Sequence, residues 1–150
     1  MAKDAVDYII DDHVLMREAL EELRTANEQS RATLVQKIGA MLRAHSHAEE
    51  QHVYPALEVV GEEEGEEAQH GSEEHHEAEA LLTQLEACPV DSNEFEGLAS
   101  QFVESVLHHM DEEESETLPS LRQSVDEKTL REMGKAFEEQ RKAELTNLLS

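Results

Sequence analysis

The feature that most constrains the fold of this chain is the spacing of its apolar residues, which recur three and four positions apart in successive segments. That spacing places them on one side of an α-helix, so each segment predicts a helix that buries a single face. The four predicted core faces carry Val6, Ile9, Ile10, Met16, Leu20 and Leu23; then Leu34, Ile38, Met41 and Leu42; then Ala78, Leu82 and Leu85; and then Phe95, Leu98, Phe102 and Val106.

Residues that favour caps and turns set the predicted boundaries of these helices. Asp4, Ser30 and Ser72 are each followed by a periodic segment and are predicted to cap the first three helices. Residues 61–71 are mostly glycine and glutamate without periodicity, so they predict a solvated loop. The fourth helix is predicted to stop near Pro119 because proline cannot continue a helix.

Composition supports helices over strands. Aromatic residues make up 3% of the chain and tryptophan is absent, which is poor material for sheets. The predicted fold is therefore all-α, an up-down-up-down four-helix bundle with an additional C-terminal helix. We expect one domain over residues 1–150, with a core bundle at about 4–121 and the C-terminal helix at about 126–149.

The charge balance excludes several kinds of partner. Twelve basic residues stand against 36 acidic ones, for a net charge of −24. Such a field repels nucleic acid and anionic membrane surfaces, so neither is an expected partner. The single Cys88 cannot form an internal disulfide, no apolar run approaches the roughly 20 residues that span a bilayer, and no signal peptide is evident. We therefore expect a cytoplasmic protein.

Histidines fall on the predicted core faces of all four bundle helices. The chain has nine histidines, and a single one on an apolar face is usually an ordinary core residue. One on each of four consecutive helices instead predicts a shared site. The histidines in phase with the core are His13, His45, His52, His75 and His109, whereas His47, His76 and His108 point away from it and His70 falls in the predicted loop.

Two glutamates share these faces. Glu49 follows His45 by four residues and Glu113 follows His109 by four, so each pair projects from one side of one helix. A buried carboxylate needs a cation or a hydrogen-bonding partner. Because no lysine or arginine lies in phase on the four core faces, the sequence predicts a metal.

An internal repeat indicates two metals. The segment His45-x3-Glu49-Glu50-x4-Pro55-x-Leu57 recurs as His109-x3-Glu113-Glu114-x4-Pro119-x-Leu121. The second and fourth helices therefore present equivalent pairs of ligands. Imidazole and carboxylate donors without thiolate suit iron or manganese, and inward donors of this kind on facing helices form dinuclear centres in helical bundles.

The joint pattern resembles the hemerythrin-like (HHE cation-binding) family over about residues 5–121. The motifs that carry the resemblance are Asp12-His13-x2-Met16-Arg17, His45-x3-Glu49-Glu50 through Val53-Tyr54-Pro55-Ala56-Leu57, Glu74-His75, and His109-x3-Glu113-Glu114 through Leu118-Pro119. The resemblance implies a four-helix bundle with a non-heme di-iron centre, oxo- or hydroxo-bridged. It implies His13, His45, His75 and His109 as terminal ligands and Glu49 and Glu113 as bridges.

The sequence departs from the oxygen-carrying hemerythrins at two positions. Glu79 stands where their third helix has a second histidine, and His109-x3-Glu113 replaces their His-x4-Asp. Glu79 faces the core, but a glutamate near a bundle end can also extend to water, so we keep it as a candidate ligand with both interpretations open. A register that pairs His108 with Glu112 is rejected because it lies on a polar face. His52 is placed as a neighbour of the ligands.

Together these residues favour a di-iron protein that binds or reacts with O2, hydrogen peroxide or nitric oxide. Peroxide decomposition or sensing is favoured over reversible O2 carriage, and catalase-like turnover stays open. One alternative is delivery of iron to damaged iron centres. The other is a structural or interaction protein whose metal only staples the bundle. No protein partner is indicated by the sequence.

Overall fold

The computed structural model describes residues 2–150, and within that range the chain is helical almost throughout, with no strand. The predicted all-α class is therefore confirmed. The elements are α1 (Ala5–Thr25), α2 (Glu28–His52), α3 (Tyr54–Glu58), α4 (Glu62–Ala87), α5 (Phe95–Glu112), a π-helical turn (Glu113–Thr117), α6 (Leu118–Ser124) and α7 (Glu127–Leu148).

Four long helices form the bundle. Helix α1 packs against α2 and α5, and α4 packs against the same two helices on the opposite side. Between α1 and the α5 segment, His13 meets Glu114 and Arg17 meets Asp111, so residue numbers rise along one helix as they fall along the other. The α2–α4 and α4–α5 pairs follow the same rule. The bundle is therefore up-down-up-down, as predicted.

Helix α7 packs outside the bundle, against α1 and α2. It runs parallel to α1, because Gly134 lies against Ala5 and Arg141 lies beside Asp12 further along both helices. Phe137 is fully buried beneath it and meets the edge of the His45 ring at a centroid distance of 5.4 Å. The C-terminal helix therefore covers one side of the bundle at the level of the histidines.

The apolar core is divided into two clusters. One contains Leu20, Ile38 and Phe102 and lies towards the Thr25 end of α1, and the other contains Ile9 and Leu57 and lies towards its Ala5 end. Along every bundle helix, the inward histidines and glutamates fall where one cluster gives way to the other. The bundle therefore holds a polar layer between two dry layers.

The predicted loop at residues 61–71 is wrong, because α4 begins at Glu62. Glutamates in the first turn of a helix are stabilised by its dipole, and this turn has three of them, Glu62, Glu63 and Glu64. The face that packs inward is made of Ala68 and Gly71, both buried. Small residues carry little hydrophobic signal, so the periodicity escapes a search for large apolar side chains.

Two other predicted boundaries also differ. Asn27, not Ser30, caps α2, with its side chain accepting from the Ser30 backbone N–H at 3.0 Å. The fourth helical segment does not stop at Pro119 but continues to Ser124. The helix continues through a π-helical turn, in which the Leu118 N–H bonds the Glu113 carbonyl, and Pro119 directly follows that turn. The Asp4 cap of α1 is confirmed, with a full capping box.

Across residues 2–150, no helix is both long enough and apolar enough to cross a bilayer.

Candidate metal centre

Two buried carboxylates lie at the middle of the polar layer. Glu49 on α2 is fully buried and Glu113, the first residue of the π-helical turn, is 2% exposed. Glu49 Oε1 is 3.1 Å from His45 Nε2 and 3.2 Å from a second imidazole nitrogen, His75 Nε2. Glu113 Oε1 is 3.1 Å from His13 Nε2, and its Oε2 is 3.6 Å from His109 Nε2.

These six side chains form two overlapping groups of donors. Glu49, His75, His109 and Glu113 form one, and His13, His45 and Glu113 form the other. Within each group the candidate ligand atoms all lie within 4.8 Å of one another. Glu113 belongs to both, and Glu49 lies beside an imidazole of each. The arrangement matches two cation positions with carboxylates between them.

Four outer carboxylates face the Nδ1 atoms of the same imidazoles. Asp12 lies 2.8 Å from His45 Nδ1, Glu114 lies 2.7 Å from His13 Nδ1, Glu74 lies 2.9 Å from His109 Nδ1, and Glu50 faces His75 Nδ1 at 3.6 Å. An Nδ1–H that donates to a carboxylate leaves the Nε2 lone pair directed inward and raises its basicity as a ligand. All four imidazoles are therefore oriented with Nε2 towards the two central glutamates.

Tyr54, at the start of α3, completes the layer. Its hydroxyl donates to Glu113 Oε2 at 2.5 Å, and its ring stacks on His75 at a centroid distance of 5.5 Å. Burial, followed by the charges of Glu113 and Glu49, raises the pKa of Tyr54 well above its usual value. The hydroxyl therefore stays protonated in the metal-free protein and donates a hydrogen bond to Glu113.

The electrostatics of the cluster call for positive charge. Burial acts to lower the pKa of His75, but the neighbouring Glu49 and Glu50 outweigh it and raise that pKa to about 9. The pKa of His45 is also raised well above its usual value, because Glu49 and Asp12 outweigh its burial. Burial acts to raise the pKa of Glu49, but His45 and His75 hold it well below the usual value. The same carboxylates that favour a proton on His45 and His75 would also favour a metal cation between them.

Unpartnered buried atoms test whether the residues fit a metal. The buried side-chain atoms without a hydrogen-bond partner include the Nε2 atoms of His13, His45 and His109, both oxygens of Glu49 and Oε1 of Glu113. Leaving such groups unpaired is unfavourable by about 1–3 kcal/mol each, and more for charged groups. These six atoms are candidate ligand atoms inside the cluster, and the other unpartnered buried atoms in residues 2–150 are Ser46 Oγ, Glu67 Oε2, His75 Nδ1 and Arg141 Nε. The residues therefore fit a dinuclear centre with nitrogen and oxygen donors.

Glu79, the seventh predicted ligand, does not join this cluster. Its carboxylate lies 3.2 Å from His47 Nε2, and 28% of its side chain is exposed. The other histidines predicted to lie outside the centre also stay outside. His76 and His108 are exposed and His52 is half-buried. His70 is exposed too, but on α4 and not in a loop.

The roles of Tyr54 and of the four outer carboxylates were not predicted from the sequence. A signal was present, because each outer carboxylate is adjacent in sequence to an inward ligand. The doublets are Asp12-His13, Glu49-Glu50, Glu74-His75 and Glu113-Glu114.

A cavity of about 270 Å³ connects the histidines to the protein surface between α1, α2 and α7. Its inner end is lined by all four imidazoles of the cluster. Its outer end reaches Leu15 and Leu149, which are 54% and 49% exposed. Most of the wall between is apolar and is formed by Met16, Ala19, Met41, Leu42, Val106 and Leu145. The centre is therefore accessible to small molecules by a dry route.

Comparisons with known proteins agree with this geometry. The family model for the Hemerythrin HHE cation binding domain matches residues 4–121. An uncharacterised hemerythrin-like protein of Schizosaccharomyces pombe is 30% identical over 138 residues, which cover 91% of this chain and 68% of that protein. A crystal structure of a hemerythrin HHE cation binding domain-containing protein from Mycobacterium kansasii has a TM-score of 0.86 at 20% identity, covering 97% of this chain and 89% of that one.

Proposed function

The chain belongs to the hemerythrin HHE cation-binding domain family, and we propose that its buried cluster holds two iron ions that react with small oxidants, above all hydrogen peroxide. His75 and His109 would bind one ion and His13 and His45 the other. Glu113, with Glu49 beside it, would join the two.

The observation that carries the proposal is the set of unpartnered, buried Nε2 and carboxylate atoms that face one another. Each imidazole is already held by an outer carboxylate at Nδ1, or faces one, so its Nε2 is free for a ligand bond. Glu49 and Glu113 are buried, and the ion-pair partners that the structure gives them are all histidines. Two metal cations would place positive charge beside these carboxylates and form ligand bonds with the unpaired donors.

Two iron ions bound in this position would exchange electrons with hydrogen peroxide, O2 or nitric oxide. The residues around them select what reaches them. The wall of the cavity is mostly apolar, although Glu18, Glu22, Lys37 and Arg141 also line it. A mostly apolar route favours small uncharged molecules such as hydrogen peroxide, O2 and nitric oxide. The Tyr54 hydroxyl donates a hydrogen bond to Glu113. These features support a reactive or sensing role over a purely structural metal.

Turnover of peroxide is expected to be modest. Among residues 2–150, Tyr54 supplies the one hydroxyl that hydrogen-bonds a central glutamate, and a phenol is a poor acid at neutral pH. An efficient proton shuttle would have a pKa nearer neutrality. We therefore place peroxide decomposition at a low rate, or sensing of an oxidant, ahead of reversible O2 carriage.

The test combines metal analysis with peroxide turnover. After exposed, exchangeable iron is removed by desalting, the buried centre is expected to retain about two iron per chain, because the two donor groups are equivalent in kind. The iron-loaded protein is also expected to release oxygen from hydrogen peroxide. Glu113→Ala should lose both ions and the activity. Glu116→Ala, an exposed change in the same π-helical turn, serves as the matched control and should retain both.

Two results would contradict the proposal. Iron near one per chain would show that the two groups do not act as a pair. Oxygen release no greater than in Glu113→Ala, with a stable and reversible O2 adduct, would favour a carrier.

We also infer a cytoplasmic location from the single thiol, Cys88, which is typical of a reducing compartment.

A further inference from the structure

Two histidines and two carboxylates converge outside the buried centre, on the surface where α4 meets α5. His70 Nε2 and His108 Nε2 each lie 3.2 Å from Glu112 Oε2. The same two nitrogens each lie 3.5 Å from Glu74 Oε2. Two imidazole nitrogens and two carboxylate oxygens, drawn from two helices, therefore lie close together.

The local sequence explains this convergence. His70 precedes Glu74 by four residues on α4, and His108 precedes Glu112 by four on α5. Residues four apart share one side of a helix. The His108–Glu112 pair is one position away from the buried His109–Glu113 pair, so it is rotated to the outside of the same helix. His70 joins it only because α4 begins at Glu62 and not after Gly71.

We infer that His70, Glu74, Glu112 and His108 form an accessory site for a divalent transition-metal ion. An ion about 2.1 Å from each nitrogen and oxygen donor places neighbouring donors of a tetrahedral site about 3.4 Å apart. The four nitrogen–oxygen distances of 3.2 and 3.5 Å are near this spacing. Ligand atoms of His70, Glu74 and Glu112 all lie within 4.8 Å of one another, and His108, which falls outside that group, would complete the site by turning its exposed imidazole. Imidazole and carboxylate donors together suit iron, manganese or zinc better than calcium or magnesium.

Glu74 shows that the group is more than a cluster of surface charges. It is 9% exposed, and its two oxygens face different ways. Oε1 accepts from His109 Nδ1, and Oε2 faces the two exposed imidazoles. Because His70 and His108 are 55% and 67% exposed, each can turn to meet an ion held by the carboxylates. One buried carboxylate thus connects the accessory site to a ligand of the centre.

The accessory site also lies on a second route into the protein. A cleft of about 520 Å³ runs between α4, α5 and the π-helical turn, and it reaches His109 and Glu113 at its inner end. Its walls carry Glu63, Glu66, Glu67, Glu74, Glu112 and Glu116. A cleft lined with one sign of charge concentrates ions of the opposite sign. The apolar cavity admits neutral molecules from the other side, so cations and oxidants have separate entrances.

We assign this site the role of receiving a divalent ion and passing it to the buried centre. That role depends on the proposed dinuclear centre, whereas the accessory site itself does not. The alternative is that the two histidines and two carboxylates only contact one another and hold no ion. In that case removal of the imidazoles would change neither the number of ions bound nor the rate of their uptake.

The experiment uses anaerobic Fe2+ with the metal-free full-length chain. Bound iron is counted after equilibrium dialysis, and the initial rate of uptake is followed at limiting Fe2+. The variant is His70→Ala/His108→Ala. The matched control is His76→Ala, an exposed histidine on α4 that lies outside the cluster.

The wild type and His76→Ala are expected to bind about three ions, and the double variant about two. Uptake in the double variant should be measurably slower, because the two imidazoles that would hold an arriving ion are gone while the charge of the cleft is unchanged. If the wild type binds about one ion and the double variant none, the accessory site stands and the dinuclear centre is wrong. Equal stoichiometry in all three proteins would overturn the accessory site, and equal uptake rates would overturn its role in entry.

Discussion

Gly71 offers a way to disturb the metal centre without changing a ligand. It is buried in the middle of α4 and faces the Tyr54 ring. A Cβ atom at this position would lie 2.7 Å from the Tyr54 hydroxyl oxygen and 2.9 Å from its Cζ. The ring cannot retreat easily, because it is buried, stacked on His75 and hydrogen-bonded to Glu113.

Two opposing effects decide the outcome of Gly71→Ala. Alanine is intrinsically better than glycine in a helix by about 1 kcal/mol. Overpacking a buried site destabilises by about 1–3 kcal/mol, and weakening a hydrogen bond to a charged carboxylate adds up to about 1.5–3 kcal/mol. The steric effect is larger, so we expect a net loss of about 2 kcal/mol in the free energy of unfolding. For a chain of this size that corresponds to a Tm lower by about 6 °C.

Gly97→Ala is the matched control. Gly97 also lies in a helix, but a Cβ atom there has no neighbour within 4 Å. This variant should gain up to about 1 kcal/mol and melt a few degrees higher. The assay is thermal unfolding followed by circular dichroism with a chelator present, together with iron content of the loaded proteins. In a Tyr54→Phe background the hydroxyl is absent, so the penalty of Gly71→Ala should shrink.

An increase in Tm for Gly71→Ala equal to that of Gly97→Ala would refute this reasoning. It would show that the Tyr54 ring has room to move and that its position beside Glu113 is not fixed by packing. Normal iron content in a destabilised Gly71→Ala protein would leave the packing argument intact but separate Tyr54 from metal retention.

Three further results are expected. Asp12→Asn should weaken iron binding about 10–100-fold in a chelator competition, because it removes the charge that orients a ligand imidazole. Asp11→Asn, on the exposed neighbour, should leave iron binding unchanged. Equal effects of the two substitutions would contradict this role of Asp12. Glu79→Ala should retain its iron and its visible spectrum, since the carboxylate pairs with His47, and loss of iron would restore it as a ligand. Gly134→Ala should destabilise by about 3 kcal/mol in urea unfolding, since its Cβ would lie 2.7 Å from α1 backbone atoms; an unchanged midpoint would show that α7 can shift.

The sequence was sufficient to predict the bundle and the six clustered residues for one physical reason. A helical period converts sequence spacing directly into a shared face, so residues such as His45 and Glu49 reach the interior wherever the helix itself packs. The internal repeat added that α2 and α5 contribute in the same way. No long-range information was needed beyond the short connections between helices.

The features that escaped prediction depend on steric fit and not on hydrophobicity. The start of α4 is held inward by Ala68 and Gly71, and Gly71 is required because Tyr54 fills the space where a Cβ would lie. The π-helical turn that begins at Glu113 precedes Pro119, and the helix continues beyond both. The spacing of apolar residues in the sequence shows neither the turn nor the continuation. Glu79 was left open by the sequence because its phase points inward while solvent lies within its reach, and in the structure its carboxylate lies beside His47.

The positions of the outer carboxylates follow from the antiparallel order of the bundle helices. Adjacent residues on a helix are about 100° apart, so the neighbour of an inward ligand faces the next helix. Each outer acid accordingly serves a histidine of another helix, from α1 to α2, α2 to α4, α4 to α5 and the π-helical turn back to α1.

In this ring the acid precedes the inward residue in Asp12-His13 and Glu74-His75, and it follows the inward residue in Glu49-Glu50 and Glu113-Glu114. The first two doublets lie on helices that run one way and the last two on helices that run the other way. Seen from one end of the bundle, a step backwards along an ascending helix and a step forwards along a descending helix turn in the same sense. The alternation in the sequence is therefore what four acids need to close one ring around four alternating helices.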